Sequence, residues 1–326
     1  MKKFFATALL VFLFVVGGGF AYLSLRKPNA APPSSIVIER TPERLARGKY
    51  LFEVVNDCDG CHSERDFTRF GNPVVTRGKG FQFPAEMGLP GTVAAPNISS
   101  DVETGIGGYT DGEILRALRE GIAKDGHAMF PLMPYPYYAK MSDEDAYSLV
   151  AFIRTIPPVK AKQPPVALKF PVNLMMTGVP KPLAAPVPQP DRSNKLKYGE
   201  YLTTVAACVE CHTPEVRGQL VEEKRFGGGR EFRLMGTRVL SANITSDTQT
   251  GLGKLSEDQW VEKFYQYKEY VEKGSKKVGP EGVTLMPWLA YAQMEEADLR
   301  AIYTYMRTVK PVVNSVETHP ENPTKK

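Results

Sequence analysis

Between Phe4 and Leu25 the chain carries 22 consecutive residues without a charge, bracketed by Lys2-Lys3 and Arg26-Lys27. A helix of that length spans the hydrocarbon core of a bilayer. Further along, the pattern changes to short amphipathic stretches separated by Gly- and Pro-bearing loops. Leu45, Gly48, Phe52 and Val55 share one face of a predicted helix, with Thr41 as its cap and Pro42 at the first helical position. Capping-box pairs, Thr110 with Glu113 and Ser256 with Gln259, start two more helices. Their apolar stripes are Ile114, Leu115, Leu118 and Trp260, Val261, Phe264. Two further sets, Ala146, Leu149, Val150, Ile153 and Leu299, Ile302, Tyr303, Met306, follow the spacing of core-facing helices.

These elements fall into two copies of one plan. Leu196, Gly199, Leu202 and Val205 repeat the first stripe, and both copies contain Gly-x-Tyr-Leu, at Gly48–Leu51 and Gly199–Leu202. A Gly inside a helix costs about 1 kcal/mol against Ala, so its presence in both copies predicts close approach of another helix. Asn97-Ile98-Ser99-Ser100-Asp101 matches Asn243-Ile244-Thr245-Ser246-Asp247, and Thr104–Gly107 matches Thr250–Gly253. Both Asn residues fit the N-x-[ST] pattern and are read as loop structure rather than glycan acceptors. The copies predict helical units at 41–158 and 194–311. Between them, Pro157 to Pro190 holds ten prolines, so a linker at 159–193 is expected to run extended, with Leu168, Phe170, Leu174 and Met175 able to lie along a surface. A loose polar tail is expected at 312–326.

The N-terminal segment 1–27 reads as an uncleaved membrane anchor in preference to a cleaved signal, for which Gly19-Phe20-Ala21 offers a small-x-small site. It also accounts for the basicity. The formal charge is +5, but removing its four basic residues from 41 leaves 37 Lys and Arg against 36 Asp and Glu. Such a balance gives no electrostatic footprint for nucleic acid.

All four cysteines fall in two C-x-x-C-H motifs, Cys58-Asp59-Gly60-Cys61-His62 and Cys208-Val209-Glu210-Cys211-His212. That is the attachment signature of c-type haem: two thiols add to the two vinyl groups, and the following His reaches the iron. Two covalent haem c groups are expected, on Cys58, Cys61, Cys208 and Cys211, with His62 and His212 as proximal ligands. A redox disulfide leaves the repeated His unexplained. So does a four-cysteine zinc site. Structural disulfides suit an oxidising compartment, but i, i+3 cysteines are poorly placed to bridge within a helix.

For the remaining axial position each copy has one Met followed by Pro and an aromatic: Met133-Pro134-Tyr135 and Met286-Pro287-Trp288, 75 and 78 residues after Cys58 and Cys208. Met133 and Met286 are therefore expected as ligands. Met87, Met129, Met141, Met235, Met294 and Met306 are read as core filling. His127 is the rival in the first copy. Thioether ligation raises the potential and closes the iron to substrate, which favours electron transfer over catalysis.

Asn97–Asp101, Thr104–Gly107, Gly126-His127 and Met133-Pro134-Tyr135-Pro136 resemble the haem domains of the cytochrome c subunit of bacterial membrane-bound alcohol, aldehyde and gluconate dehydrogenases. The resemblance covers most of 41–158 and, more weakly, 194–311. It implies helical cytochrome c domains; with the repeat and the N-terminal segment the expectation is a mainly α protein, two tandem cytochrome c-like helical domains with long loops after an N-terminal membrane helix. It further implies a periplasmic location and electron flow from a dehydrogenase subunit toward quinone, an oxidase or a small electron carrier. Those subunits carry three haem domains where this chain has two. The second copy also reads Met286-Pro287-Trp288-Leu289 and carries the charged stretch Lys268 to Lys277. The competing class is a dihaem enzyme of the peroxidase or thiosulfate dehydrogenase type, with one open or switchable iron.

Overall fold

The computed structural model describes residues 2–279 and 282–320; residues 321–326 of the expected tail lie outside them. The chain is mainly helical. Helix α1, Lys2–Leu25, is apolar and exposed along its length. Its composition and length suffice to cross a membrane, a test that an N-terminal signal also passes.

The first repeat contains α2 (Pro42–Tyr50), prolonged by a π turn at Leu51–Val55, then α3 (Asp59–His62), α4 (Asp111–Glu120), α5 (Tyr135–Tyr138) and α6 (Asp143–Ile153). A short helix, α7 (Val172–Met175), interrupts the extended linker. The second repeat contains α8 (Lys195–Val205), α9 (Cys208–His212), α10 (Glu257–Tyr265), α11 (Lys268–Lys273), α12 (Trp288–Tyr291) and α13 (Glu296–Met306). Among the described residues the β structure is limited to two-stranded antiparallel pairs in the loops. The longest is the hairpin of Glu231–Leu234 with Thr237–Leu240.

The predicted starts are present. The Thr41 side chain accepts from Arg44 N–H with Pro42 in the first turn. Thr110 with Glu113 and Ser256 with Gln259 form reciprocal capping boxes. Each cap is worth about 1 kcal/mol. The stripes are buried, or half-buried against the core at Leu45, Leu115 and Tyr303, except that Leu196, in the first turn of α8, is 43% exposed.

Helix α2 crosses α6, and α8 crosses α13, at their glycines. A Cβ on Gly48 would lie 1.9 Å from the Ser148 carbonyl oxygen, and one on Gly199 would lie 1.9 Å from that of Ala301. Close helix approach is therefore the reason for both glycines.

The apolar core is continuous through both repeats. Across their junction the same residue types are exchanged reciprocally. Tyr50 donates to Asp298 Oδ2 of the second repeat at 2.9 Å, and Tyr201 donates to Asp145 Oδ2 of the first at 2.6 Å. These are the tyrosines of the two Gly-x-Tyr-Leu phrases, and the aspartates open the two closing helices. The pairing is thus self-complementary, as in a two-fold interface.

Two segments outside the repeats are more ordered than their composition predicts. Ile38 is buried, and its N–H donates to Asp111 Oδ2 at 2.9 Å, strapping the stretch before α2 against α4. At the other end, Asn314 N–H donates to Thr250 Oγ1 at 3.0 Å, and the Thr318 carbonyl accepts from Leu240 N–H at 2.9 Å. The expected loose tail is therefore tied to the second repeat as far as Thr318. In the linker, Leu168 pairs with Gly91, whereas Phe170 and Met175 are exposed and Phe170 meets the Phe20 ring of α1 at 6.4 Å.

Candidate functional site

Each C-x-x-C-H motif begins where a long helix ends. In both repeats the residue before the first cysteine has a left-handed backbone, Asp57 at φ 40° and Ala207 at φ 51°. It turns the chain so that a fresh helical turn starts at the cysteine, closed by Cys58 O accepting from His62 N–H at 2.9 Å in the first repeat. Nothing in the sequence marks these positions: Asp tolerates the left-handed region, Ala does not, and the two share no side chain.

In α3 and α9 the paired cysteines sit three residues apart, on one side of a helical turn. All four are free. No cluster of three or more His, Cys, Asp or Glu able to hold a metal ion occurs among the described residues. Burial pushes the Cys61 and Cys208 thiols up to about 12, and Cys58 upward as well. The first repeat touches the second motif directly: Tyr137 donates to Glu210, between Cys208 and Cys211, at 2.6 Å.

Both histidines are oriented alike. His62 Nδ1 lies 2.9 Å from Pro96 O, and His212 Nδ1 lies 2.7 Å from Ala242 O. A carbonyl only accepts, so Nδ1 carries the proton and Nε2 keeps the lone pair that binds a metal. Burial lowers both pKa values, favouring the neutral, ligating form. The two carbonyls immediately precede Asn97 and Asn243, which explains the repeated loop phrase. Asn97 Nδ2 donates to Val159 O and Ala161 O, and Asn243 Nδ2 to Val312 O and Asn314 O. Each Asn is buried and fixes the loop that orients a histidine.

The Met-Pro phrases also share a geometry. Tyr135 N–H donates to Met133 O across Pro134 (φ −79°, ψ 49°), and Trp288 N–H donates to Met286 O across Pro287 (φ −78°, ψ 63°), both at 2.8 Å. These are inverse γ-turns. Proline fixes their φ, and each leads straight into a short helix. In the second repeat Cys208, His212 and Met286 line one cavity, walled by Trp260, Phe264 and Met306. In the first, Cys58 and Met133 are half-buried against the core. The remaining methionines divide: Met141, Met294 and Met306 are buried, whereas Met235 is exposed beside a hairpin turn. His127 is 61% exposed and held by Asp125 at the surface.

The donor set fits a covalently held haem. Each repeat offers two free thiols one turn apart, an imidazole with Nε2 available and a thioether on a preformed turn. The surroundings differ in charge. Around the first motif, buried Asp59 accepts from Ser63 and pairs with Arg77 at 2.9 Å, while Asp57 pairs with Arg65 at 3.4 Å. Burial raises the Asp57 carboxyl to about 6. Around the second motif Ala207 and Val209 take the places of these carboxylates, and Glu210 pairs with Arg230 at 3.4 Å. Asp57 and Asp59 have no counterpart in the other copy, so the repeat does not single them out.

No family model matches the chain. It is 32% identical over 237 residues to the cytochrome c subunit of the quinone alcohol dehydrogenase of Gluconobacter oxydans, covering 67% of this chain and 45% of that protein. It is 30% identical to the fructose dehydrogenase cytochrome subunit of Gluconobacter japonicus, over 84% of this chain and 54% of that one. A diheme c-type cytochrome of Cereibacter sphaeroides is 29% identical over 66% of this chain and 72% of its own length. The chain spans about half the length of the dehydrogenase subunits it matches.

Proposed function

We propose that this chain, a relative of the cytochrome c subunits of alcohol, fructose and gluconate dehydrogenases, is a dihaem c-type cytochrome that relays electrons on the periplasmic side of a bacterial membrane. Its two repeats act as tandem cytochrome c domains, 41–158 and 194–311. Cys58 and Cys61, and Cys208 and Cys211, hold one haem c each by thioether bonds. His62 and His212 would bind the iron through Nε2, and Met133 and Met286 would supply a thioether ligand to it. Bound haem supplies one-electron transfer between Fe(II) and Fe(III). The protein's own part is to orient each imidazole through a fixed carbonyl, to hold each thioether on a proline turn, and to keep solvent away. The cavity shared by Cys208, His212 and Met286 carries this reading.

A dehydrogenase subunit is the electron donor in this reading, and quinone, a terminal oxidase or a small carrier is the acceptor. Helix α1 anchors the chain at the membrane. The Tyr137–Glu210 bond, which joins the turn after Met133 to the second motif, favours transfer between the two sites within one chain.

Optical and EPR spectra of the full-length holoprotein in both redox states test the assignment. Two low-spin His/Met haems are expected. A high-spin or bis-His haem, or rapid peroxide turnover, would replace the relay with a dihaem enzyme. Removal of residues 1–27 behind a cleavable export signal is expected to move the protein from the membrane to the soluble fraction.

A further inference from the structure

The Met286 turn is held from the other repeat. Asn72 lies in the loop after the first C-x-x-C-H motif; it is buried, with a left-handed backbone at φ 50°. Its Nδ2 donates to Thr284 O at 2.7 Å, and Thr284 Oγ1 accepts from Met286 N–H at 3.2 Å. Beside it, Gly71 has no room for a side chain: a Cβ would lie 2.5 Å from Leu289 Cγ. The same loop binds the stretch that sets the second repeat apart. Phe70 stacks on Tyr267 at 4.9 Å and its N–H donates to Lys276 O at 3.0 Å, while the Arg69 guanidinium donates to Ser275 O at 2.6 Å. The charged stretch is therefore a docking strip for the first repeat.

Arg65 extends the connection to the first motif. It donates to the carbonyls of Gly71 and Asn72 and pairs with Asp57, the residue before Cys58. A reciprocal link exists. Tyr137, four residues after Met133, donates to Glu210, between Cys208 and Cys211, at 2.6 Å.

We propose that Asn72 is a positioning residue for Met286, so that the iron–thioether bond of the second repeat depends on a side chain from the first. This rests on the reading of Met286 as an axial ligand. The Asn72 bond fixes the Thr284 carbonyl, and Thr284 fixes the amide at which the methionine turn begins. Loosening either widens the range of sulfur positions, which weakens the bond in the Fe(II) state that thioether favours.

The test uses full-length holoprotein carrying Asn72→Gly, Thr284→Val or Met286→Ala. Glycine accepts φ 50° without strain, so the first variant removes the donor and spares the backbone. Valine keeps the shape of Thr284 and removes its acceptor oxygen. Both haem midpoints are read by spectroelectrochemical titration, together with the far-red methionine–iron band of the ferric protein. Met286→Ala identifies the midpoint that belongs to the second site. Asn72→Gly and Thr284→Val are expected to lower that same midpoint and weaken the band, leaving the other midpoint in place. Each tenfold loss of ferrous preference reads as about 59 mV. If Asn72→Gly lowers haem content, Thr284→Val decides. Normal haem content with both midpoints and the band unchanged in the two variants overturns the proposal. If Met286→Ala moves neither midpoint, the ligand reading fails instead.

Discussion

Gly199→Ala tests the central packing feature of the second repeat. In an exposed helix this change stabilises by about 1 kcal/mol through helix propensity. Here the new Cβ would lie 1.9 Å from Ala301 O and 2.5 Å from Ala301 C, atoms of the backbone that cannot rotate away. Ordinary van der Waals contact begins at 3.4 Å, so α8 and α13 must part by about 1.5 Å. That separation opens the seam where Leu202, Val205, Leu299 and Met306 are packed, each at most 1% exposed. A gap of 0.5–1 Å already forfeits roughly a quarter to a half of each dispersion contact. Overpacking typically costs about 1–3 kcal/mol, and a clash with rigid backbone belongs at the upper end. The net expectation is a destabilisation of about 2 kcal/mol after the propensity gain is subtracted. Urea unfolding of the holoprotein, followed by far-UV circular dichroism, measures it. Gly108→Ala serves as the control, because its Cβ would meet nothing nearer than 4.0 Å and should change stability by less than about 0.5 kcal/mol. A midpoint for Gly199→Ala equal to or above that of the parent would refute the close crossing.

The two interface aspartates should respond differently to substitution. Burial alone would raise the Asp145 carboxyl, but its bidentate pairing with Arg47 at 2.8–2.9 Å and the Tyr201 bond hold it below the usual range, whereas burial leaves Asp298 raised. Asp145→Asn, which strands Arg47, should cost about 3–5 kcal/mol, and Asp298→Asn much less. A depressed carboxylate contributes stability that is complete above its unfolded pKa of about 3.9 and is lost as pH falls through the lower folded value. Ionised Asp298 contributes with the opposite sign, and its penalty is relieved on mild acidification. Urea midpoints of both variants across pH 3–7 check this; equal losses would refute it. Around the first motif, Asp59→Asn removes a buried carboxylate and, on the proposed haem assignment, should raise the midpoint of the first site by about 20–60 mV, on the scale of 59 mV per tenfold for one electron, with the second unmoved. Redox titration reads the shift, and a fall would reverse the electrostatic assignment.

The sequence by itself determined what depends on neighbours along the chain. The caps at Thr41, Thr110 and Ser256, the buried stripes, the glycines at helix crossings and the doubled C-x-x-C-H motif all rest on signals within about two helical turns. Even the Asn97 and Asn243 phrases were readable as loop structure, although not as the devices that orient His62 and His212. The tertiary structure decided what joins distant residues. Tyr50 meets Asp298 across 248 positions and Asn72 meets Thr284 across 212. Such pairings have no local signature, because any buried hydroxyl or amide must find a partner and composition does not say which. The same holds for Ile38 against α4 and for the tail up to Thr318, irregular segments held by long-range hydrogen bonds. The left-handed turns at Asp57 and Ala207 escaped for a related reason: their backbone is imposed by the helices on either side, at Ala207 against the preference of the residue.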